Sequence, residues 1–213
     1  MTEGTWENHY HREKARLTFP DENLVRLIAK HSGQGSTDPG FTALDLGCGT
    51  GRHISLLDSL GFKRVIGMDL SFRALELCRD LCHPLVQNDN TRIPLRDRSI
   101  DLVIAWGSLH YNRKKDMKAM LGEISRILKT EGRLFATLRT DRDTCLRSGE
   151  MTGDNEWITD LNDISGSLVS FYSEEELLPN FSMFKSMEYG IMERSLMGNT
   201  SSIISHWIIH ARA

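Results

Sequence analysis

The sequence is short of most features that mark a secreted, membrane-embedded or fibrous protein. It has four cysteines in 213 residues, at Cys48, Cys78, Cys82 and Cys145. They are too few and too unevenly spaced for a disulfide framework, so a reduced, cytoplasmic protein is expected. Prolines number only five, and no low-complexity segment or internal repeat is present. No apolar run approaches the roughly 20 residues needed to span a bilayer, and no membrane partner is expected. The opening residues, Met1 to Glu7, lack the basic start and apolar centre of a signal peptide. Neither charge sign dominates: 26 Lys and Arg face 29 Asp and Glu, a net charge of −3. That balance excludes a strongly basic nucleic-acid surface as the whole of the chain, though not a local patch. Cys78 and Cys82 stand four apart beside His83, a spacing that can hold a metal. Leu75, Cys78 and Cys82 read instead as one apolar helical stripe, and no metal is expected.

What is present is the composition of an ordinary globular protein, 39% hydrophobic and 26% charged. At roughly 100–200 residues per domain, the length is that of one domain with elaborations, or at most a domain and a small cap, and a single domain is expected. It divides into cap helices over 1–40, a core over 41–139, an insertion over 140–172, and a C-terminal helix and hairpin over 173–213. Pro20-Asp21-Glu22-Asn23 opens a helix with Leu24, Leu27 and Ile28 on one face. It ends in a turn-rich stretch from His31 to Gly40. From Phe41 onward, apolar strands alternate with amphipathic helices. Strands are expected at Phe41 to Leu46, Val65 to Leu70, Leu85 to Asn88, Ile100 to Trp106 and Arg133 to Leu138. The intervening helices bury Ile54, Leu57 and Leu60, then Leu75, Leu77, Cys78 and Leu81, and finally Met117, Met120, Leu121, Ile124, Ile127 and Leu128. Gly61 ends the first of these and Ser71 caps the second.

Strands apolar on both faces, each followed by a helix, imply a parallel sheet covered on both sides, hence an α/β doubly wound fold. Alternating residues over Met187 to Glu193 and Ile203 to Ala211, with a turn near Gly198, imply a closing antiparallel hairpin. His206 and His210 in its last strand are expected to face solvent. Residues 140–170 are polar and poorly periodic, too long for a plain connection, and are read as a substrate-binding insertion.

Leu44-Asp45-Leu46-Gly47-Cys48-Gly49-Thr50-Gly51 is the strongest motif. It follows the first strand and opens a helix, where backbone N–H groups can meet a ligand. Asp69 ends the second strand, where a carboxylate can accept from ribose hydroxyls. The glycines are spaced G-x-G-x-G after Asp45, not the G-x-G-x-x-G of dinucleotide sites. An acidic side chain at the mouth of the turn repels a pyrophosphate and welcomes an ammonium. S-adenosylmethionine fits, because it carries an ammonium, a ribose and an adenine but no phosphate. A nicotinamide-dependent oxidoreductase is disfavoured on the same ground.

The stretch resembles the class I S-adenosylmethionine-dependent methyltransferases, and the likeness runs through several ordered motifs. Leu44 to Gly51 is similar to their first motif, and Val65 to Ser71 to their acidic second strand. Asn88-Asp89-Asn90 is similar to their adenine-contacting segment, and Ile93 to Val103 to their run into the fourth strand. Ile127 to Leu134 is similar to their passage into the fifth, with Thr130-Glu131 in place of the commoner turn. The resemblance is close over 41–139 and loose on the flanks. It implies a Rossmann-like, mostly parallel seven-stranded sheet with the antiparallel hairpin at its end and helices on both faces. It implies methyl transfer from S-adenosyl-L-methionine, leaving S-adenosyl-L-homocysteine. By that resemblance Asp69 holds the ribose, Leu70 packs on the adenine, and Asp89 with Asn90 meets the adenine amino group. Gly47, Gly49 and Gly51 admit the methionine portion, with Asp45 on its ammonium. Trp106 lies at the fourth strand's carboxyl end. The segment before the first core helix would fold over the cofactor, with Tyr10 or Arg16 capping the carboxylate.

His110, just past the fourth strand, is the catalytic candidate: a base if the acceptor's nucleophile is protonated, otherwise a lining residue that moves no proton. The sequence holds no Asn-Pro-Pro-Tyr run and no Pro-Cys nucleophile. A small-molecule acceptor, methylated on oxygen or nitrogen, is therefore preferred. A tRNA or protein acceptor reached through Arg12, Lys14, Arg16 and Arg113-Lys114-Lys115 stands as an alternative, as does a non-catalytic cofactor-binding module. The expected assembly is a monomer or homodimer.

Overall fold

A computed structural model describes residues 3–13, 16–32, 38–161 and 164–213. Part of the turn-rich stretch after the first core helix (33–37) and part of the insertion (162–163) lie outside the described residues.

Two helices, α1 (Glu3–Tyr10) and α2 (Glu22–Ser32), precede the sheet. The core then alternates β1 (Thr42–Leu46), α3 (Arg52–Ser59), β2 (Arg64–Asp69), α4 (Phe72–Leu77), β3 (Leu85–Gln87), β4 (Ile100–Ala105), α5 (Lys114–Ile127) and β5 (Leu128–Thr140). Beyond it come β6 (Gly149–Gly153), β7 (Glu156–Thr159), β8 (Leu168–Tyr172), the short α6 (Leu177–Asn180), β9 (Ser186–Leu196) and β10 (Asn199–Arg212).

β3, β2, β1, β4 and β5 lie side by side and all parallel. β10 continues the sheet antiparallel to β5, and β9 pairs antiparallel with β10. This is the expected seven-stranded run, and its hairpin turns at Met197-Gly198. The insertion adds what sequence reading missed. β5 outruns β4 and its edge forks: after pairing with β4 as far as Ala136 it pairs in parallel through Arg139 and Thr140 with Phe171 and Tyr172 of β8, while β10 runs along its other edge over Arg133–Arg139. β7 and β6 then extend antiparallel from β8, giving ten strands among the described residues.

The two faces carry separate apolar cores. On one, Met117, Met120, Leu121, Ile124 and Ile127 of α5 pack on Leu44, Leu46, Val103 and Ala136. On the other, Leu24 and Ile28 of α2, with Ile54 and Leu57 of α3 and Leu75 of α4, cover Ala43, Val65, Leu102 and Phe135. Leu60 is half exposed rather than inward, because α3 stops at Ser59 and the chain turns there with the Gly61 N–H returning to the Asp58 carbonyl. Cys82 is exposed too: the α4 stripe ends at Cys78, and a 3-10 turn over Arg79–Leu81 swings Cys82 into a left-handed conformation at φ 56°.

Helix α4 is fixed at its start by Ser71, whose buried Oγ accepts from the Ala74 N–H at 3.1 Å. Ser71→Ala is expected to lower stability by about 1 kcal/mol, read as a lower midpoint in urea unfolding with an unchanged slope.

β10 also departs from expectation. His210 is buried and His206 largely so. An end hairpin with a wet face would expose both. Here β10 lies between β5 and β9, with α5 packed under Trp207 and Ile209 and the α2 side over the histidine face.

Candidate functional site

In an open α/β sheet, ligands collect beyond the carboxyl ends of the strands where the strand order reverses. That point lies between β1 and β4. β1 runs into Gly47 and β4 into Gly107 and Ser108, and two cavities of about 750 and 1190 Å³ open there. They share Trp6, Tyr10, Gly47, Gly107 and Tyr111 as a common wall.

The close approach of the two strand ends dictates the residue at Gly47. Its φ is +79°, and a Cβ there would sit 2.3 Å from the Ser108 Cβ. Ser108 is itself locked, its Oγ donating to the Leu46 carbonyl at 2.7 Å. Gly49 is equally constrained, since a Cβ would meet the Tyr10 hydroxyl at 2.8 Å.

The outer cavity is built around Asp69. Burial raises its carboxyl to about 6, against the opposing effect of N–H donors. Its Oδ2 accepts from the Gly49 N–H at 2.8 Å and its Oδ1 from the Ser71 N–H at 2.9 Å. One side chain thus ties the glycine loop to the start of α4. A carboxylate has about four lone-pair sites, so acceptor capacity remains toward the cavity. Leu70, Asn88, Asp89, Asn90 and Thr91 line the same space, with Asp89 accepting from the Thr91 N–H. Among the described residues the charged lining is Asp69, Asp89 and Asp116 against Arg113, itself paired with Glu156. Such a lining repels phosphate and suits a nucleoside carrying positive charge. The glycine cradle and the phosphate-averse lining therefore fit S-adenosylmethionine better than a dinucleotide.

The inner cavity has the opposite character. Among the described residues its charged lining is Arg52, Arg139 and Arg194 against Asp21, with Arg139 paired to buried Asp143 behind it. Trp106, His53, His110 and His206 also face it. Buried His110 holds the Thr137 carbonyl through Nδ1 at 3.4 Å, while its Nε2 has no partner. Because a carbonyl only accepts, Nδ1 carries the proton and Nε2 presents a lone pair. Burial first, then the charges of Arg139 and His206, hold this imidazole well below its ordinary pKa and therefore neutral. His206 is pushed down to about 3 by the same causes, burial ahead of Arg139.

The N-terminal segment closes the site from above. Glu7 of α1 accepts from the N–H groups of Phe72 and Arg73, at 2.6 and 3.1 Å, and so caps α4 across the fold. Trp6 stacks edge-on against Tyr111 at 4.9 Å. Farther on, Thr50 donates to the Leu17 carbonyl and Arg52 to that of Phe19.

Most of the residues singled out from sequence meet here: Gly47, Asp69, Leu70, Asp89, Asn90 and Tyr10 around the outer cavity, with Gly49, Trp106 and His110 at the inner one. Three lie elsewhere. Gly51 packs against Leu81 and Cys78 beneath the loop. Arg16 is exposed and lines neither cavity; Arg52, from the first turn of α3, lines the inner one. Asp45 is fully buried behind His53, its Oδ1 3.4 Å from the His53 Nδ1 and its Oδ2 unpartnered. His53 is the member of that pair that reaches the cavity. Sequence reading passed over Ser108, Tyr111, His53, Arg139 and Arg194, and set His206 aside as solvent-facing. Only Ser108 and Tyr111, beside Gly107 after a buried strand, carried a local signal.

The methyltransferase domain family matches residues 44–136. Malonyl-[acyl-carrier protein] O-methyltransferase of Serratia marcescens is 36% identical over 109 residues, covering 50% of this chain and 42% of that protein. The tRNA (carboxymethyluridine(34)-5-O)-methyltransferase of Arabidopsis thaliana is 29% identical over 104 residues, covering 48% of this chain and 25% of its own length. The chain therefore spans less than half the length of either. Among solved structures, Burkholderia thailandensis 1,6-didemethyltoxoflavin-N1-methyltransferase, with bound 1,6-didemethyltoxoflavin and S-adenosylhomocysteine, superposes with a TM-score of 0.66 at 17% identity, over 99% of this chain and 86% of that one.

Proposed function

Residues 44–136 belong to the methyltransferase domain family, and on that premise we propose that the protein transfers the methyl group of S-adenosylmethionine to an oxygen or nitrogen of a small-molecule acceptor. The observation that carries this reading is the pair of adjoining cavities with opposite charge, one acidic around Asp69 and one basic around Arg52 and Arg194. A donor with a cationic centre and no phosphate suits the first, and a compact acceptor with oxyanion character suits the second.

When bound, S-adenosylmethionine supplies an already activated sulfonium methyl. The chain's own work is then positioning and exclusion of water. Asp69 accepts from the ribose hydroxyls, and Asp89 and Asn90 border the adenine. Gly47 and Gly49 let the backbone approach, and Trp6 and Tyr10 cover the junction where donor and acceptor meet. The His110 Nε2 lone pair accepts the proton of a protonated nucleophile.

Arg113 and Lys114 are committed to Glu156 and Glu176, at 3.0 and 2.7 Å, so two of the three clustered cations are already neutralised. That supports a small acceptor over tRNA. Among the described residues no helix is long and apolar enough to cross a membrane.

Titration calorimetry tests the donor: S-adenosylmethionine and S-adenosylhomocysteine are expected to bind and NAD is not. Incubation of a metabolite panel and of tRNA with labelled methyl donor tests the acceptor, and transfer to tRNA alone overturns the small-molecule reading. With an acceptor in hand, His110→Asn is expected to lower kcat by about 10²–10⁴ while leaving S-adenosylhomocysteine affinity unchanged. Because His110 is held neutral, kcat is expected to stay flat as pH falls from 8 through about 6.5, the ordinary histidine value.

A further inference from the structure

A third cavity, of about 700 Å³, shares no lining residue with the other two and lies between α2 and the β9–β10 hairpin. His31, in the last turn of α2, meets Glu188 of β9 and His210 of β10 there. We propose that His31, Glu188 and His210 form a binding site for one divalent transition-metal ion of the zinc class.

The placement follows from the fold. His210 and Glu188 are directly opposed across the antiparallel ladder, with the His210 Nδ1 3.7 Å from the Glu188 Oε2. Helix α2 brings its final turn over that pair, so that the two imidazole rings lie 4.3 Å apart. One ligand atom from each of the three residues lies within 4.8 Å of the others. In a tetrahedral zinc site, bonds of about 2.0–2.2 Å put ligand atoms roughly 3.3 Å apart, so side-chain movements of about 1 Å close the set.

The independent sign of a ligand is His210 itself. Its side chain is 8% exposed, and among the described residues neither ring nitrogen has a hydrogen-bond partner, the Glu188 carboxylate standing 3.7 Å from Nδ1. Buried polar groups are almost always satisfied, and an imidazole that is not has a lone pair to give.

Both histidines are in the form that ligates. Burial first, then the neighbouring His31, lowers the His210 pKa; burial first, then Lys30, lowers that of His31. The groups facing the site are of both signs. Lys30, Arg133 and Arg212 oppose a cation, but Arg212 is paired with Glu131. Glu188 supplies negative charge, and the carbonyl end of α2 favours a cation beside His31. Two histidines and one carboxylate leave a fourth position for water or a small ligand. A bound ion would tie α2 to the hairpin, away from the cofactor cavities.

The test uses the full chain, stripped with chelator, in a Cys82→Ser background that removes the exposed thiol as a competing ligand. Zinc chloride titration is expected to give one ion per chain, and cobalt chloride to give visible ligand-field bands of a low-coordinate site. His31→Ala and Glu188→Gln are each expected to weaken binding at least about tenfold, and His210→Ala to remove it. Because His210 is buried and its loss can disturb folding, the two more exposed variants decide, with S-adenosylhomocysteine binding as the check that they are folded. No binding in the millimolar range, or binding equally strong in both variants, overturns the proposal.

Discussion

Asp69→Ala is expected to weaken S-adenosylhomocysteine binding at least a hundredfold in calorimetry. Two hydrogen bonds from ligand hydroxyls to an ionised carboxylate account for about 3 kcal/mol or more, which is that factor. The same substitution orphans the Gly49 and Ser71 N–H groups, so the glycine loop loses its tie to α4.

Asp69 also predicts how affinity follows pH. Its carboxyl titrates at about 6 in the free protein, raised by burial. Ribose hydroxyls donate best to the ionised form, so protonation removes acceptor capacity, and affinity is expected to fall about tenfold between pH 7.5 and pH 5. Stability of the free protein runs the other way. The folded-state pKa lies above the unfolded value of 3.8, so the contribution is fully present below about pH 4 and is lost as pH rises through about 6. Asp69→Asn is expected to flatten both profiles. An affinity unchanged in Asp69→Ala sinks the assignment of this cavity to the nucleoside.

Gly47→Val is the second large effect. The new Cβ meets the Ser108 Cβ at 2.3 Å, an atom anchored to the backbone that no rotamer can withdraw, and the backbone is left-handed at φ +79°. Crowding and conformational strain together cost about 3 kcal/mol or more. At this chain length that is a Tm lower by about 6–12 °C, with ligand binding lost as β1 and β4 are pushed apart. Gly107 is the control. It has a similar φ of +81°, but nothing lies within 4 Å of the point a Cβ would occupy, so Gly107→Ala carries only the conformational cost, about 1–2 kcal/mol. Equal losses at both positions would show that crowding is not what fixes Gly47.

The parts legible in the sequence are those where one local rule decides. β1, β2 and β4 are apolar on both faces because helices cover both, and Asp69 is conspicuous as a charge closing such a strand. The long stripe of α5, from Met117 to Ile127, is wholly buried as its spacing demands. What escaped notice depends on distant partners. β6 is exposed along its length, so Gly149 to Gly153 shows no alternation and is a strand only because β7 lies beside it. Arg139, Arg194 and His206 come from three strands and meet only once β10 has inserted next to β5. Glu7 reads as one more charge in a polar segment, and its role exists only where it reaches the start of α4.

The fork in β5 separates the strands that carry the site from an extension held to them by little backbone pairing. Backbone pairing joins the β6–β8 extension to the main sheet through two residues of each strand, Arg139 and Thr140 with Phe171 and Tyr172. Glu156 in that extension accepts from the Lys114 N–H and pairs with Arg113, so the extension reaches the outer cavity through the start of α5 rather than through the ladder beneath Gly47 and Asp69.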